Sequence, residues 1–325
     1  MRPFVLGTRG SKLALAQSGM IAADLQSAHA GLQVTLETIV TKGDRVLDVA
    51  LSAVGDKGLF VKELEQALLD ETVDLCVHSC KDLPSAIPDG LTLAAFPPRA
   101  DPRDALIVVG AAAPSLSDLP HGAVVGTSSL RRAAQLRALR PDLDLRDVRG
   151  NVDTRLRKLA EGQYAALILA AAGLDRLGLA HGADHEQFSL NATGFALRRI
   201  DPDLMLPAVA QGILAIETRA AATEVIAALA ALDDPAARAA ALAERAFLRR
   251  LEGGCQVPIA AYATLSAGEL HLRGLVAALD GSSIVRGARS CSLDHAEALG
   301  TSLAEDLLNA GADAILNSLR TVQGA

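Results

Sequence analysis

Four short segments of this chain combine residue types that could do chemistry. The first is His78-Ser79-Cys80-Lys81-Asp82-Leu83-Pro84, where a Lys-Asp pair ends an apolar run. If that run is a buried strand, Lys81 and Asp82 stand at its carboxyl end, the side on which α/β sheets bind ligands. A carboxylate placed there could steady a developing cation or relay a proton. The bland alternative is a surface ion pair beside a turn. His78 fits a satisfied core histidine as well as a site group. Cys76 and Cys80 read as core thiols rather than metal ligands, and no metal is expected.

The second segment is a run of arginines: Arg131, Arg132, Arg137, Arg140, Arg146, Arg149, Arg155 and Arg157. Thr127, Ser128 and Ser129 precede the first pair. Hydroxyls, helix-start amides and guanidinium forks together favour a carboxylate or phosphate. Arg131, Arg132, Arg149 and Arg155 fall at helix starts and strand ends, whereas Arg137, Arg140 and Arg157 read as solvated helix faces. The third segment, Thr8-Arg9-Gly10-Ser11, has the same strand-to-helix form, although Ser11 also serves as a plain helix cap. The fourth is Leu251-Glu252-Gly253-Gly254-Cys255-Gln256-Val257-Pro258. Two glycines can present Cys255 on an exposed loop, as a nucleophile or an attachment point. An inert loop cysteine is the alternative.

These residues need elements to hold them. Apolar runs predict strands at Phe4–Leu6, Gln33–Val40, Val73–Ser79, Leu91–Phe96, Ala123–Gly126, Leu143–Val148 and Ala165–Ala170. Helical patterns fall between them, at Lys12 to about His29, Phe60–Asp70, Leu130–Leu139 and Thr154–Glu161. Phe4-Val5-Leu6-Gly7-Thr8 and Ala123-Val124-Val125-Gly126-Thr127 share one plan: apolar strand, Gly-Thr, hydroxyl residues, helix. The fold expected is α/β. Two related lobes with mostly parallel sheets surround a cleft, as in periplasmic binding proteins, and a small α+β domain follows. The domains expected are residues 1–98 with 205–222, residues 103–203, and residues 223–325. Leu206–Thr218 is read as the return to the first lobe; His181–Asp203 is polar and gives no clear pattern.

Half of the 325 residues are hydrophobic, enough for several cores, and Trp is absent. The net charge of −7 argues against nucleic acid or an anionic membrane as partner. No signal peptide and no apolar run of membrane-spanning length is seen. Four cysteines without paired spacing point to reduced thiols and a cytoplasmic location.

Taken together, the segments closely resemble the hydroxymethylbilane synthase (porphobilinogen deaminase) family. Besides the first, third and fourth above, the matching segments are Lys57-Gly58-Leu59-Phe60-Val61-Lys62-Glu63-Leu64-Glu65, Asp101-Pro102-Arg103-Asp104, Gly126-Thr127-Ser128-Ser129-Leu130-Arg131-Arg132, Arg149-Gly150-Asn151-Val152-Asp153-Thr154-Arg155 and Ala172-Gly173-Leu174-Asp175-Arg176-Leu177-Gly178. The resemblance implies a transferase of porphyrin and heme biosynthesis. Such an enzyme condenses four porphobilinogen molecules on a covalent dipyrromethane primer, then releases the linear tetrapyrrole. It implies a thioether from Cys255 to the dipyrromethane cofactor and Asp82 as the catalytic carboxylate. Arg9, Ser11, Lys81, Thr127, Ser128, Ser129, Arg131, Arg132, Arg149, Arg155 and Arg176 would hold acetate and propionate groups. Residues from about Lys42 to Gly58, Lys57 included, would form a lid, with Phe60 near the site. The partners implied are porphobilinogen and the growing oligopyrrole, on a monomer.

The chain departs from the family pattern in three places. Cys80 stands where methionine is usual, Ala210 where glycine is common, and His181–Asp203 is longer. Two other functions fit parts of the pattern. A ligand-binding module would share the two lobes but needs no presented cysteine. A phosphate-using enzyme could use Gly126-Thr127-Ser128-Ser129, but no Walker or GxGxxG fingerprint accompanies it.

Overall fold

The structure is a computed structural model and describes residues 1–42, 61–112, 114–251 and 257–323. Contacts divide the chain into two units: Met1–Ala100 with Ile213–Ala241, and Asp101–Gly212 with Leu242–Ala325.

The first unit is built on β1 (Phe4–Thr8), β2 (Val34–Thr38), β3 (Leu75–Ser79), β4 (Leu91–Ala95) and β11 (Leu214–Arg219), in the order β2-β1-β3-β11-β4. Helix α1 (Lys12–Ala28) follows β1, and α2 (Lys62–Leu69) precedes β3. Ile21 and Leu25 of α1 pack with Phe4, Leu6 and Ile216 on one face. Leu64 and Leu68 of α2 pack with Val73 and Cys76 on the other. Burial on both faces explains why β3 reads as a continuous apolar run rather than an alternating one.

The second unit repeats the plan. Its main sheet holds β5 (Asp104–Val109), β6 (Val124–Gly126), β7 (Asp144–Arg146), β8 (Ala166–Ala170), β9 (His185–Leu190) and β10 (Thr193–Arg199), in the order β7-β6-β8-β5-β10-β9. Helix α3 (Leu130–Leu139) follows β6, α4 (Val152–Ala160) follows β7, and α5 (Ala171–Arg176) follows β8. Leu136 of α3 packs on one face with Val125 and Ile168. Leu156 of α4 and Leu174 of α5 pack on the other with Leu167 and Ile107.

The shared Gly-Thr signature has a steric reason. Gly7 pairs with Cys76 across the parallel β1–β3 ladder, and Gly126 pairs with Leu167 across β6–β8. A Cβ at Gly7 would lie 2.9 Å from Cys76 Sγ, and one at Gly126 would lie 2.5 Å from Leu167. Each glycine lets the neighbouring strand's side chain close over the backbone.

The sheets are mixed rather than mostly parallel. Pairs β1–β2, β1–β3, β6–β7 and β6–β8 are parallel. The remaining pairs, β3–β11, β11–β4, β8–β5, β5–β10 and β10–β9, are antiparallel. Strands that enter from a distant part of the chain cause this: β11 returns to the first sheet and slots between β3 and β4.

After β11 come α6 (Thr223–Leu229) and α7 (Pro235–Arg250), then an antiparallel sheet of β12 (Ile259–Ser266), β13 (Glu269–Ala277) and β14 (Ile284–Ser292). Helices α8 (Ala296–Leu307) and α9 (Asp313–Gln323) close the chain. Phe247 of α7 and Leu307 of α8 fill the space that side chains at Gly274 and Gly287 would take. The three-stranded sheet with its helices is the small α+β module expected, but α6 packs in the core of the first unit rather than with that sheet.

Candidate active site

In the first unit, β1 and β3 run parallel and side by side, so the segments that follow them leave from one sheet edge. Arg9, Gly10 and Ser11 follow β1. Ser11 Oγ accepts the Ala14 amide at 3.2 Å and so caps α1, while Arg9 is half-buried.

After β3 the chain makes a single 3-10 turn over Cys80–Asp82. The Cys80 amide donates to Ile213 O at 3.0 Å, and Gln17 Nε2 donates to Ser79 Oγ at 3.0 Å. Cys80 and Leu83 are buried, Lys81 is half-buried, and Asp82 is exposed. The turn is therefore pinned on both sides with one carboxylate standing out of it, which no ion pair or hydrogen bond among the described residues engages.

His78 turns the other way, into the core. Its Nε2 lies 2.9 Å from Glu217 Oε2, and neither side chain is exposed. Of its two readings, the core histidine is the one observed. Burial pushes the Glu65 carboxyl up, and the neighbouring Glu217 adds to that. Burial likewise pushes the Cys76 thiol well up, as suits a core residue. Cys80 is also a buried free cysteine.

In the second unit, three segments leave the carboxyl edge of the parallel strands β7-β6-β8. Thr127–Arg132 follows β6, Arg149–Arg155 follows β7, and Ala171–Arg176 follows β8. Thr127 Oγ1 accepts the Ser129 amide at 3.2 Å, and Ser129 caps α3. Ser128 Oγ donates to Val148 O at 2.8 Å, tying two of these segments together.

Arg131 and Arg132 face inward. Both grip Asp104, whose side chain has no exposed surface: Arg131 Nη1 at 2.7 Å and Arg132 Nη2 at 2.7 Å. Arg131 also donates to Leu206 O at 2.8 Å, and Arg132 to Ile168 O at 2.9 Å. Gln211 Nε2 completes the shell around Asp104 at 3.0 Å. Burial alone would raise the Asp104 carboxyl, but the charges of Arg131 and Arg132 overcome it and hold it far below the usual range. The anion expected at this helix start is thus supplied by the protein itself. Nothing in the sequence marks Gln211 as part of this shell, and the only sign of Asp104 is its place at the end of Asp101-Pro102-Arg103-Asp104.

Arg149, Arg155 and Arg176 are engaged differently. Arg155 Nε donates to Gly150 O at 2.7 Å, and Arg176 Nη2 donates to Gly212 O at 2.7 Å. No carboxylate among the described residues forms an ion pair with Arg149 or Arg176. Burial pulls Arg176 down to about 10, against the opposite pull of Asp175. It therefore remains cationic near neutral pH. Arg140, read as solvated, instead ties to Asp142 at 2.7 Å and to Leu116 O at 2.5 Å.

Cys255, Lys57, Phe60 and the rest of residues 43–60 lie outside the described residues. Among the described residues, no group of His, Cys, Asp and Glu could hold a metal ion, and no helix is long and apolar enough to cross a membrane.

Comparison with known proteins gives the family. Residues 4–227 match the family model "Porphobilinogen deaminase, dipyromethane cofactor binding domain", and residues 239–309 match "Porphobilinogen deaminase, C-terminal domain". The chain is 57% identical to porphobilinogen deaminase of Roseiflexus castenholzii, over 96% of this chain and 97% of that one. It is 48% identical to porphobilinogen deaminase of Syntrophobacter fumaroxidans, over 97% of each. Among solved structures it is similar to the periplasmic VFT2 domain of BvgS from Bordetella pertussis, at 13% identity and a TM-score of 0.39, covering 71% of this chain and 86% of that one. By these matches, which together span nearly its whole length, the chain belongs to the porphobilinogen deaminase family.

Proposed function

We propose that Asp82 is the catalytic carboxylate of this transferase and that Cys255 carries its dipyrromethane cofactor. As a family member, the enzyme condenses four porphobilinogen molecules stepwise, with loss of ammonia, and releases a linear tetrapyrrole. The observation that carries the assignment of Asp82 is its presentation. It is the exposed carboxylate of a turn whose flanking residues are buried, at the carboxyl end of a parallel strand.

The donor set suits the cofactor. A dipyrromethane bears acetate and propionate groups, and Arg149 and Arg176 bring guanidinium groups with which no carboxylate of the described residues forms an ion pair. We assign Arg9, Ser11 and Lys81 in the first unit, and Thr127, Ser129, Arg149, Arg155 and Arg176 in the second, to hold cofactor and substrate carboxylates. When bound, the cofactor would supply the free pyrrole carbon to which the first ring is joined, each later ring joining the one added before it. Arg131, Arg132 and Ser128 support that set by fixing the start of α3 and its link to Val148. Lys57 and Phe60 are proposed as part of the lid and its contact with the site.

As ammonia leaves porphobilinogen, positive charge spreads onto the pyrrole N–H. Asp82 stabilises that charge and accepts the proton that the reaction must shed. The arginines hold successive rings where they react, which replaces free encounter by a positioned one. We further read the chain as a cytoplasmic monomer of three domains, the location supported by the buried free thiols of Cys76 and Cys80.

Intact-mass spectrometry tests the attachment. The purified protein should carry a dipyrromethane adduct that Cys255→Ser lacks, and an identical added mass in the variant would remove Cys255 from this role.

A further inference from the structure

Arg199, the last residue of β10, has a fully buried side chain. Its guanidinium sits among three carboxylates. Nη1 and Nη2 hold Asp175 as a fork at 3.0 and 2.6 Å. Nη1 reaches Asp101 at 3.1 Å, Nη2 reaches Glu186 at 3.1 Å, and Nε donates to Ala183 O at 2.9 Å. These partners come from the crossing before β5, from α5, from β9 and from the loop before it. The β9–β10 hairpin that delivers Arg199 turns through Asn191 and Ala192, both at positive φ, and is braced by Phe188 stacked on Phe195 at 5.2 Å.

A buried guanidinium is not needed to pin a hairpin, since apolar packing of the same volume stabilises a fold as well or better. What an arginine does that a leucine cannot is fork a carboxylate. Asp175 immediately precedes Arg176 on α5, and its charge already acts on Arg176. Left without Arg199, Asp175 would turn to Arg176 for a partner. With Arg199 in place, both Asp175 oxygens are occupied, and among the described residues Arg176 donates only to the neutral Gly212 carbonyl.

We propose that Arg199 is a positioning residue that keeps Arg176 available to a porphobilinogen carboxylate by holding Asp175 away from it. The proposal rests on the assignment of Arg176 as a carboxylate ligand made above. It gives the long His181–Asp203 stretch a task in substrate binding rather than in fold closure alone.

The test compares steady-state kinetics of four variants of the cofactor-loaded enzyme. Arg199→Gln should raise KM for porphobilinogen about tenfold, the weight of one charge-assisted hydrogen bond, with kcat little changed. Adding Asp175→Asn should bring KM back towards the parent value, because no freed carboxylate then competes for Arg176. A purely structural Arg199 predicts the opposite, since the second substitution strips another buried partner; a further rise in KM in the double variant overturns the proposal. Hydrogen exchange over residues 171–178 gives a readout apart from turnover, and the α5 amides should stay protected in the double variant. Lost protection there overturns it too.

Arg176→Gln tests the underlying assignment separately. An unchanged KM removes Arg176 as a ligand and the proposal with it. A raised KM for Arg176→Gln beside a parental KM for Arg199→Gln overturns the proposal alone. If Arg199→Gln does not fold, Arg199→Lys keeps the charge and loses the fork, and a parental KM in that variant is equally fatal.

Discussion

Arg132 holds Asp104 through Nε at 2.9 Å and Nη2 at 2.7 Å, on a carboxylate that has no exposed surface. This pair, doubled by Arg131, fastens the start of α3 to the first residue of β5. Asp104→Asn would leave two buried guanidiniums facing a neutral amide. The expected loss is about 3–5 kcal/mol of unfolding free energy, read by chemical denaturation. Pairing lowers the folded-state value of the Asp104 carboxyl. Its stabilisation is therefore complete above about pH 4 and drains away only as pH falls towards that lower value. The parent and Asp104→Asn should accordingly differ by a constant amount from pH 5 to 8, and a gap that narrows with rising pH would refute the assignment.

Asp82→Asn keeps the shape of the turn and removes the charge. Asp82 is exposed and its turn is held by Cys80, Ser79 and Leu83, so stability should change little. Turnover should fall at least about a hundredfold, the usual scale for one electrostatic group. Near-parental turnover in a normally loaded variant would remove Asp82 from the chemistry.

Gly126→Ala would push a methyl to 2.5 Å from Leu167 and 2.9 Å from the Tyr164 ring. Overpacking of this kind costs about 1–3 kcal/mol. At Gly10 a methyl would meet nothing closer than Thr38 at 3.5 Å among the described residues, and Gly10→Ala should be close to neutral. Thermal melts of the two variants make the comparison, and equal melting points would discount the strand contact.

Ala210 sits at φ 58°, in the left-handed region, and its amide donates to buried Glu244 at 2.5 Å. A side chain in that conformation costs about 1–2 kcal/mol, and glycine gives back part of the gain as chain entropy. Ala210→Gly should therefore stabilise the protein by roughly 0.5–1 kcal/mol with the Glu244 contact intact. A lower denaturation midpoint would contradict this.

Much of the site's scaffold is legible in the residues. The twin Gly-Thr signatures mark β1 and β6, and their neighbours β3 and β8 are apolar runs that end in Lys81–Asp82 and at α5. Three features escape such reading. Strand β5 (Asp-Ala-Leu-Ile-Val-Val) is a short apolar run behind a proline-rich crossing, and periodicity cannot separate it from other buried segments. Strand β9 alternates exposed and half-buried residues, with a polar sequence that resembles a loop. The inward turn of Arg131, Arg132 and Arg199 is hidden because arginine is ordinarily a surface residue. Only the placement of Asp104 and Asp175 reveals where their charge goes.

Strand β11 lies between β3 and β4, yet it is made more than a hundred residues after them. On the ribosome, the first hundred residues can form β2-β1-β3 but must keep a vacant slot beside β3 until residues 214–219 emerge. Both lips of that slot present unpaired amides and carbonyls, a template for pairing with the wrong strand. Closing so long a loop is slow. Newly made chains should thus be most exposed to aggregation and to chaperone capture while residues 101–212 are being synthesised.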